Sequence, residues 1–153
     1  MKRVVVQNCF LEGVAAVLQE GRSVRVRIDG RSMHPFIRGA KDEVELMPCH
    51  SGSSLPLWCG VFFRWRGGYM VHRYIGKEGE YFCFMGDGNL AQVEKVKEAD
   101  VLGVLCSIYR PDGTEHDCLS KKWLFKGALW YRFRWFRRYL LLFYRKIIGI
   151  YWG

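Results

Sequence analysis

Residues 60–85 read GVFFRWRGGYMVHRYIGKEGEYFCFM, and this stretch decides the predicted fold. Three β-type runs lie in it, at residues 60–65, 69–75 and 81–85. Glycine-containing segments separate the runs, and such segments are typical of the turns in β-hairpins. The stretch therefore predicts three consecutive antiparallel strands.

The flanking sequence extends this β pattern. Residues 23–28 alternate apolar side chains with arginine, which indicates a half-buried strand, and residues 43–47 and 101–109 indicate two more. Apolar residues at helical spacing predict a short amphipathic helix over residues 8–20. We therefore expect a mainly β fold with a short N-terminal helix.

Charge divides the chain into two regions. The net charge is +9, from 24 basic and 15 acidic residues. Residues 121–153 hold nine of the basic residues, 12 of the 24 aromatic residues and no acidic residue. The other 15 basic residues share residues 1–120 with all 15 acidic ones. We predict a neutral domain over 1–120 and a basic, aromatic helical tail over 121–153.

The cysteines and apolar runs bear on location. The six cysteines are scattered without a C-x-x-C pair, a pattern that favours core packing in a reducing compartment. Glu12 interrupts the first apolar run, and Arg145 ends the apolar run in the tail. Neither run has the length of a membrane-spanning helix or the form of a signal peptide. The sequence predicts a cytoplasmic protein, with the tail as a candidate for contact with a membrane surface.

One serine lies in a segment suited to catalysis. Residues 30–35 read GRSMHP, directly after the first predicted strand. Gly30 permits an unusual backbone conformation and Pro35 restricts the residues before it. A nucleophilic serine also needs a base and hydrogen-bond donors for the oxyanion. Alone, the segment fits an ordinary turn serine better than a nucleophile.

A histidine supplies the candidate base. His72 and Arg73 interrupt an otherwise apolar predicted strand, and a buried histidine needs a hydrogen-bond partner. A histidine with a purely structural role is the alternative. The segment GDGN at residues 86–89 follows one strand later.

These three segments, in this order, resemble the conserved boxes of the type I signal peptidase and LexA-like serine peptidase superfamily. The resemblance covers residues 24–113, and VHR at residues 71–73 is similar to the histidine-base variant found in endoplasmic-reticulum and archaeal enzymes. It implies the β-fold of that superfamily. It also implies a serine endopeptidase that cleaves a precursor or leader peptide. The alternative is a catalytically inactive peptide-binding or membrane-adaptor protein that retains the fold.

The resemblance implies a role for each residue of the candidate site. Ser32 would be the nucleophile and His72 its base, so activity should fall below about pH 6 as the imidazole gains a proton. The backbone N–H of Ser32 would contribute to the oxyanion hole, with Gly30 and Met33 beside it in the substrate pocket.

The third member of the site stays open. Asp87 is the predicted third catalytic residue, and it would act by pairing with Arg73 or by orienting the imidazole. Asn89 and Glu94 would support the site, and the third position could be held by Glu94, by Asp87 or by neither. No cofactor is expected, and no metal, because no two candidate ligands share a helix face or a tight turn.

The remaining polar candidates are predicted to be less central. His34 should face away from Ser32, while His50 and His116 lie in loop-like sequence and should be solvated. Asp100 should cap a strand or lie on the surface.

The tail is predicted to form one helix over residues 129–151. Seven of its apolar side chains fall within an arc of roughly 80°: Leu129, Phe133, Phe136, Leu140, Phe143, Ile147 and Tyr151. Three hypotheses remain: a helix packed on the body with a solvated basic face, an interfacial membrane helix, or a nucleic-acid-binding helix. Nucleic acid ranks lowest, because the body has no accompanying basic patch.

Overall fold

The computed structural model describes residues 2–28, 32–39, 41–49, 55–88 and 92–152. Within them the protein is mainly β, with a curled antiparallel sheet, an N-terminal helix and helical structure at the C-terminus, as the sequence predicts. The helices are α1 (Lys2–Gln19), α2 (Lys121–Arg132) and α3 (Arg134–Trp152). The strands are β1 (Val24–Arg27), β2 (Glu43–Pro48), β3 (Gly60–Trp65), β4 (Gly68–Glu78), β5 (Tyr81–Met85), β6 (Glu94–Lys97), β7 (Val101–Tyr109) and β8 (Glu115–Asp117).

The sheet has the strand order β1-β2-β7-β3-β4-β5-β6, with β8 also paired to β7. Strands β3 to β6 form an antiparallel meander that contains the predicted hairpins of residues 60–85. Strand β7 lies between β2 and β3 and pairs with both. It therefore joins the β1–β2 pair, whose connection contains the serine segment, to the meander that carries His72.

The core forms on both faces of the sheet. On one face, α1 packs Leu11, Val14 and Leu18 into a cluster with Leu46 and Phe62. Gly103 of β7 permits this contact, because a Cβ there would lie 2.9 Å from Leu18 Cδ1. The other face holds a second cluster, whose members include Phe63, Tyr74, Phe82, Phe84 and Val96.

Several element boundaries differ from the prediction. Helix α1 begins at Lys2 rather than near residue 8, since no glycine or proline interrupts residues 2–8. Strand β4 continues to Glu78 through a bulge beside Gly76, whose φ of 128° suits a glycine. Strands β6 and β8 were not predicted; both are short and carry charged residues.

The predicted helical tail is present, but it is divided into two helices rather than formed as one. Phe133 separates α2 from α3, with φ −91° and ψ 26°. In a straight helix, residues 130 and 145 would lie about 22 Å apart along the axis. Yet Trp130 and Arg145 donate hydrogen bonds to adjacent carbonyls, those of Asp87 and Gly88. The break at Phe133 allows both side chains to bind the same loop.

Within the described residues, we find no helix with the length and hydropathy that crossing a bilayer requires.

Candidate active site

The first feature of the site is a histidine–glutamate contact across the meander. Tyr74 of β4 and Glu94 of β6 both pair with Phe84 of β5. His72 lies two residues before Tyr74, and alternate residues of a strand point to the same face. His72 and Glu94 therefore share a face, where His72 Nδ1 lies 3.0 Å from Glu94 Oε2.

This contact lies in an apolar environment. His72 is 2% exposed and Glu94 is 0% exposed. The ring of Phe63 meets the imidazole edge-on at 5.9 Å and stacks on Phe84. Glu94 Oε1 has no hydrogen-bond partner within the part of the chain that the structure describes. A buried carboxyl group needs a hydrogen-bond partner, and His72 Nδ1 lies within hydrogen-bond distance of Glu94 Oε2. An ionised Glu94 requires the proton on Nδ1, which leaves the lone pair on Nε2.

The second feature is an arginine–aspartate pair on the opposite face of β4. Arg73 Nε donates to Asp87 Oδ1 at 2.7 Å, and Nη2 donates to Oδ2 at 2.6 Å. Both side chains are almost fully buried. Burial by itself would lower the pKa of Arg73, but the charge and hydrogen bonds of Asp87 outweigh burial and raise the pKa. Arg73 Nη1 also donates to the Trp58 carbonyl at 2.6 Å.

The two features assign different partners to the two acids. Of the two arrangements predicted for Asp87, the structure shows the pair with Arg73, in which both carboxylate oxygens accept from the guanidinium. The alternative arrangement, in which Asp87 orients the imidazole, is not the one that the structure shows. Glu94 occupies that position because the β5–β6 register brings it onto the face of His72.

Ser32 joins this cluster through its main chain. The Gly88 N–H donates to the Ser32 carbonyl at 2.7 Å, one residue beyond Asp87. Phe36, in the same turn, lies with its ring 4.8 Å from the Arg73 guanidinium carbon. Among the described residues, no hydrogen bond joins Ser32 Oγ to the His72 ring.

The other residues predicted around the serine are placed as follows. Met33 is 5% exposed and belongs to the core cluster that includes Ile37 and Val71. Gly30 and Asn89 lie outside the described residues.

A buried aspartate anchors the end of the serine-bearing turn. Asp42 accepts from the Arg38 N–H at 2.7 Å and from the Arg110 guanidinium, just beyond β7. These contacts attach the segment that follows Ser32 to the centre of the sheet. No motif in the sequence indicated this role for Asp42.

The C-terminal helices cover the arginine–aspartate pair. A Cβ on Gly127 of α2 would lie 2.2 Å from Arg73 Nη1, so the helix backbone approaches the guanidinium closely. Trp130 Nε1 donates to the Asp87 carbonyl at 2.8 Å. From α3, Arg145 donates to the Gly88 carbonyl at 3.3 Å. Sequence reasoning missed this packing, although an isolated glycine inside a helical pattern is one signal of close approach.

The remaining histidines and Asp100 occupy varied positions. His34 Nε2 accepts from the Gly39 N–H at 3.4 Å, and its ring meets Tyr144 of α3 edge-on. Asp100 is a partly exposed residue paired with Arg64 at 3.2 Å, in agreement with its predicted surface role. His50 lies outside the described residues.

His116 corrects a prediction. It lies on β8 rather than in a solvated loop, with its ring centroid 4.9 Å from that of Trp123. Burial, followed by the charges of Arg110 and Lys126, lowers the pKa of His116. The pairing of β8 with β7, which the sequence did not indicate, places it there.

The buried cysteines are poor candidates for a thiolate nucleophile. Cys59, Cys83 and Cys118 are buried, which agrees with the predicted core packing. Burial, its largest cause, raises the pKa of Cys59 and of Cys118 to about 12. Such thiols stay protonated near neutral pH and are poor nucleophiles.

A scan against protein-family models gives no match for this chain, and a search of curated proteins finds no matching relative.

Proposed function

We propose that this chain is a serine endopeptidase that cleaves a precursor or leader peptide, with a site like that of histidine-base signal peptidases. Ser32 is the nucleophile, His72 the general base and Glu94 the residue that orients the base. The observation that carries the proposal is the buried contact of 3.0 Å between His72 Nδ1 and Glu94 Oε2. It supports the proposal because a general base needs a partner that fixes its tautomer and stabilises its charged form.

The chemistry follows the serine–histidine–acid scheme. His72 Nε2 takes the proton of Ser32 Oγ as the oxygen attacks the scissile carbonyl, and the Ser32 N–H donates to the developing oxyanion. The imidazolium then gives its proton to the leaving amine as the peptide bond breaks. Water, deprotonated by His72, cleaves the acyl ester and regenerates the serine. The hydroxyl–imidazole hydrogen bond forms with substrate bound, since such bonds are often long before that step.

In this proposal, Arg73 and Asp87 form the scaffold of the site. Their ion pair joins β4 to the loop that follows β5. Gly88 of that loop holds the Ser32 carbonyl. The pair thus fixes the distance between the strand of the base and the turn of the nucleophile.

Peptide cleavage by purified variants tests the proposal. Wild type is incubated with a complex peptide library, and new termini are identified by mass spectrometry. We expect Ser32→Ala and His72→Ala each to lower the cleavage rate by at least about 10³-fold. Ser23→Ala and His116→Asn are matched controls, because Ser23 is exposed and His116 lies on β8.

Two results would count against the proposal. Equal cleavage by wild type and Ser32→Ala would show that Ser32 is not the nucleophile. Peptide binding without cleavage by wild type would instead favour the inactive peptide-binding or adaptor alternative.

A further inference from the structure

Helix α3 turns an apolar surface away from the body. Phe136 and Phe143 are each 65% exposed, and Leu140 and Ile147 are exposed as well. At 100° per residue these four side chains lie within roughly 60° of one another around the helix. We call them the outward stripe.

The contacts between α3 and the body come from a different side of the helix. Arg145, which donates to the Gly88 carbonyl, lies roughly 170° from the centre of the stripe. Tyr144 meets His34 at a ring distance of 5.7 Å, also off the stripe. An amphipathic helix of a globular protein normally turns its apolar side to the core. Helix α3 does the reverse, which contradicts the hypothesis of a packed helix with only its basic face in solvent.

Exposed apolar side chains continue beyond α3. Leu129 near the end of α2 and Phe133 at the break between the helices are both exposed. Phe125, one turn earlier, is also exposed. The ring centroid of Phe133 lies 6.4 Å from that of Phe136, so Phe133 continues the outward stripe across the break between the helices.

Positive charge flanks this surface. Residues 121–153 carry nine basic residues and no acidic one. Arg132 and Lys146 are exposed, and Lys146 lies roughly 90° from the centre of the stripe. An apolar, aromatic side with basic flanks is the composition of helices that lie in the headgroup region of anionic membranes.

We propose that the outward stripe, extended by Leu129 and Phe133, binds the surface of an anionic lipid bilayer. A second copy of the chain fits less well, because pairing two stripes would bring together two tails with nine basic residues each. Nucleic acid also fits less well, since phosphates require basic side chains at the centre of the contact. The proposal does not depend on catalysis.

Docking of α3 on the body adds a consequence. Arg145 and Tyr144 attach the helix to Gly88 and His34, which lie beside the candidate site. A bilayer bound to the stripe holds that site near the membrane, where a peptide emerging from or lying on the bilayer is within reach. This step, unlike membrane binding itself, rests on the proposed function.

Flotation of the full chain with lipid vesicles tests membrane binding. Vesicles of phosphatidylglycerol and phosphatidylcholine are compared with vesicles of phosphatidylcholine alone, at low salt. We expect strong flotation with the anionic vesicles only. The pair Phe136→Gln and Phe143→Gln should lower the partition coefficient at least tenfold, since it removes apolar area without changing charge. The pair Arg132→Gln and Lys146→Gln should lower it roughly fivefold per charge removed.

Phe10→Gln is the matched control, because Phe10 is a 52% exposed aromatic residue on α1. It should float like wild type. Circular dichroism checks that the variants stay folded, and glutamine is a good helix former. Ser32→Ala should also float like wild type, which separates this proposal from the proposed function.

Three results would overturn the membrane proposal. One is the absence of flotation by wild type with anionic vesicles, and another is equal flotation by the double phenylalanine variant. The third is a wild-type dimer, seen by sedimentation velocity, that the phenylalanine variant dissociates, since it would assign the stripe to a second copy.

Discussion

His72 and Arg73 are adjacent in the chain, yet each has its own carboxylate. Strand geometry turns the two side chains to opposite faces of β4. Glu94 meets His72 and Asp87 meets Arg73, each through a buried contact. We therefore expect the two acids to differ in what their loss affects: the reaction for Glu94 and the free energy of unfolding for Asp87.

Replacing Glu94 tests the first of these roles. Glu94→Gln keeps the side-chain volume but removes the charge that stabilises an imidazolium. We expect kcat/KM for peptide cleavage to fall by about 10²–10⁴-fold. Glu80→Gln, at an exposed turn position, is the control and should leave the rate unchanged. A rate for Glu94→Gln equal to that of wild type would remove Glu94 from the mechanism.

Replacing Asp87 tests its expected contribution to the free energy of unfolding. Asp87→Ala leaves the Arg73 guanidinium buried without its counter-charge, which costs about 3–5 kcal/mol of unfolding free energy. Urea unfolding followed by tryptophan fluorescence measures the loss. The double variant Asp87→Leu with Arg73→Met should recover part of it, because no uncompensated charge remains. No recovery in the double variant would contradict this account of the pair.

His116 makes stability depend on pH. Burial and the charges of Arg110 and Lys126 lower the pKa of His116 in the folded state. The unfolded chain then takes up this proton first, so folded stability falls as pH drops through about 6.5, the ordinary value for histidine. His116→Asn should lose less unfolding free energy than wild type between pH 7.5 and pH 5, measured by urea titrations. Equal losses in the two proteins would show that His116 does not contribute.

At the scale of elements, strands with apolar runs and glycine turns could be predicted, and those that depend on tertiary register could not. Residues 60–85 reveal β3, β4 and β5, because their turns and apolar runs are local features. Strand β6 reads EKVK, and the residue at one of its two inward positions is the charged Glu94. A rule based on alternating apolar and polar residues cannot recognise β6, because one of its buried positions holds a glutamate. The burial of Glu94 depends on its contact with His72, a residue of another strand.

The candidate site also contains residues that could be predicted from the sequence and others that could not. Ser32, His72 and Asp87 stand out because they lie in short segments with recognisable spacing. Whether Glu94 or Asp87 contacts His72 depends on which residues of β5 and β6 are paired. That register cannot be predicted from any one segment of the sequence. The cover formed by α2 depends on Gly127, whose importance is visible only beside Arg73.

Two helical glycines should respond to alanine in opposite ways. Gly127→Ala brings a methyl group against the Arg73 guanidinium, and such overpacking costs about 1–3 kcal/mol. Gly13→Ala, in α1, meets nothing within 4 Å, and alanine in a helix interior should stabilise it by about 1 kcal/mol. Thermal unfolding of the two variants measures both effects. A stabilising Gly127→Ala would show that α2 does not rest on Arg73.

For the whole molecule, the boundary that charge sets at residue 121 differs from the boundary that side-chain packing sets. The basic tail and the neutral body are distinct in composition. In the structure, however, Trp123 of α2 is buried in the core of the body, and Gly127 lies against Arg73. Helix α2 belongs to the body by its contacts, whereas α3 presents its apolar side to the outside.

Two truncations test this division. A chain that ends after Phe133 keeps α2 and should unfold within a few degrees of wild type. A chain that ends after Ser120 loses the burial of Trp123, about 1.5–3 kcal/mol, and uncovers the Arg73–Asp87 pair. We expect its Tm to be lower by at least about 5 °C. Equal Tm values for the two truncations would show that α2 adds nothing to the body.

The position of β7 also has a consequence for the newly made chain. Strands β2 and β3 are consecutive in sequence but not paired, since β7 lies between them. During translation the N-terminal residues emerge first. The β1–β2 pair and the β3–β6 meander therefore cannot join until residues 101–109 have been made, because β7 lies between them. The α2 residues that cover Arg73 emerge later still. The serine-bearing turn and β4 therefore join one sheet only after residues 101–109 have been made.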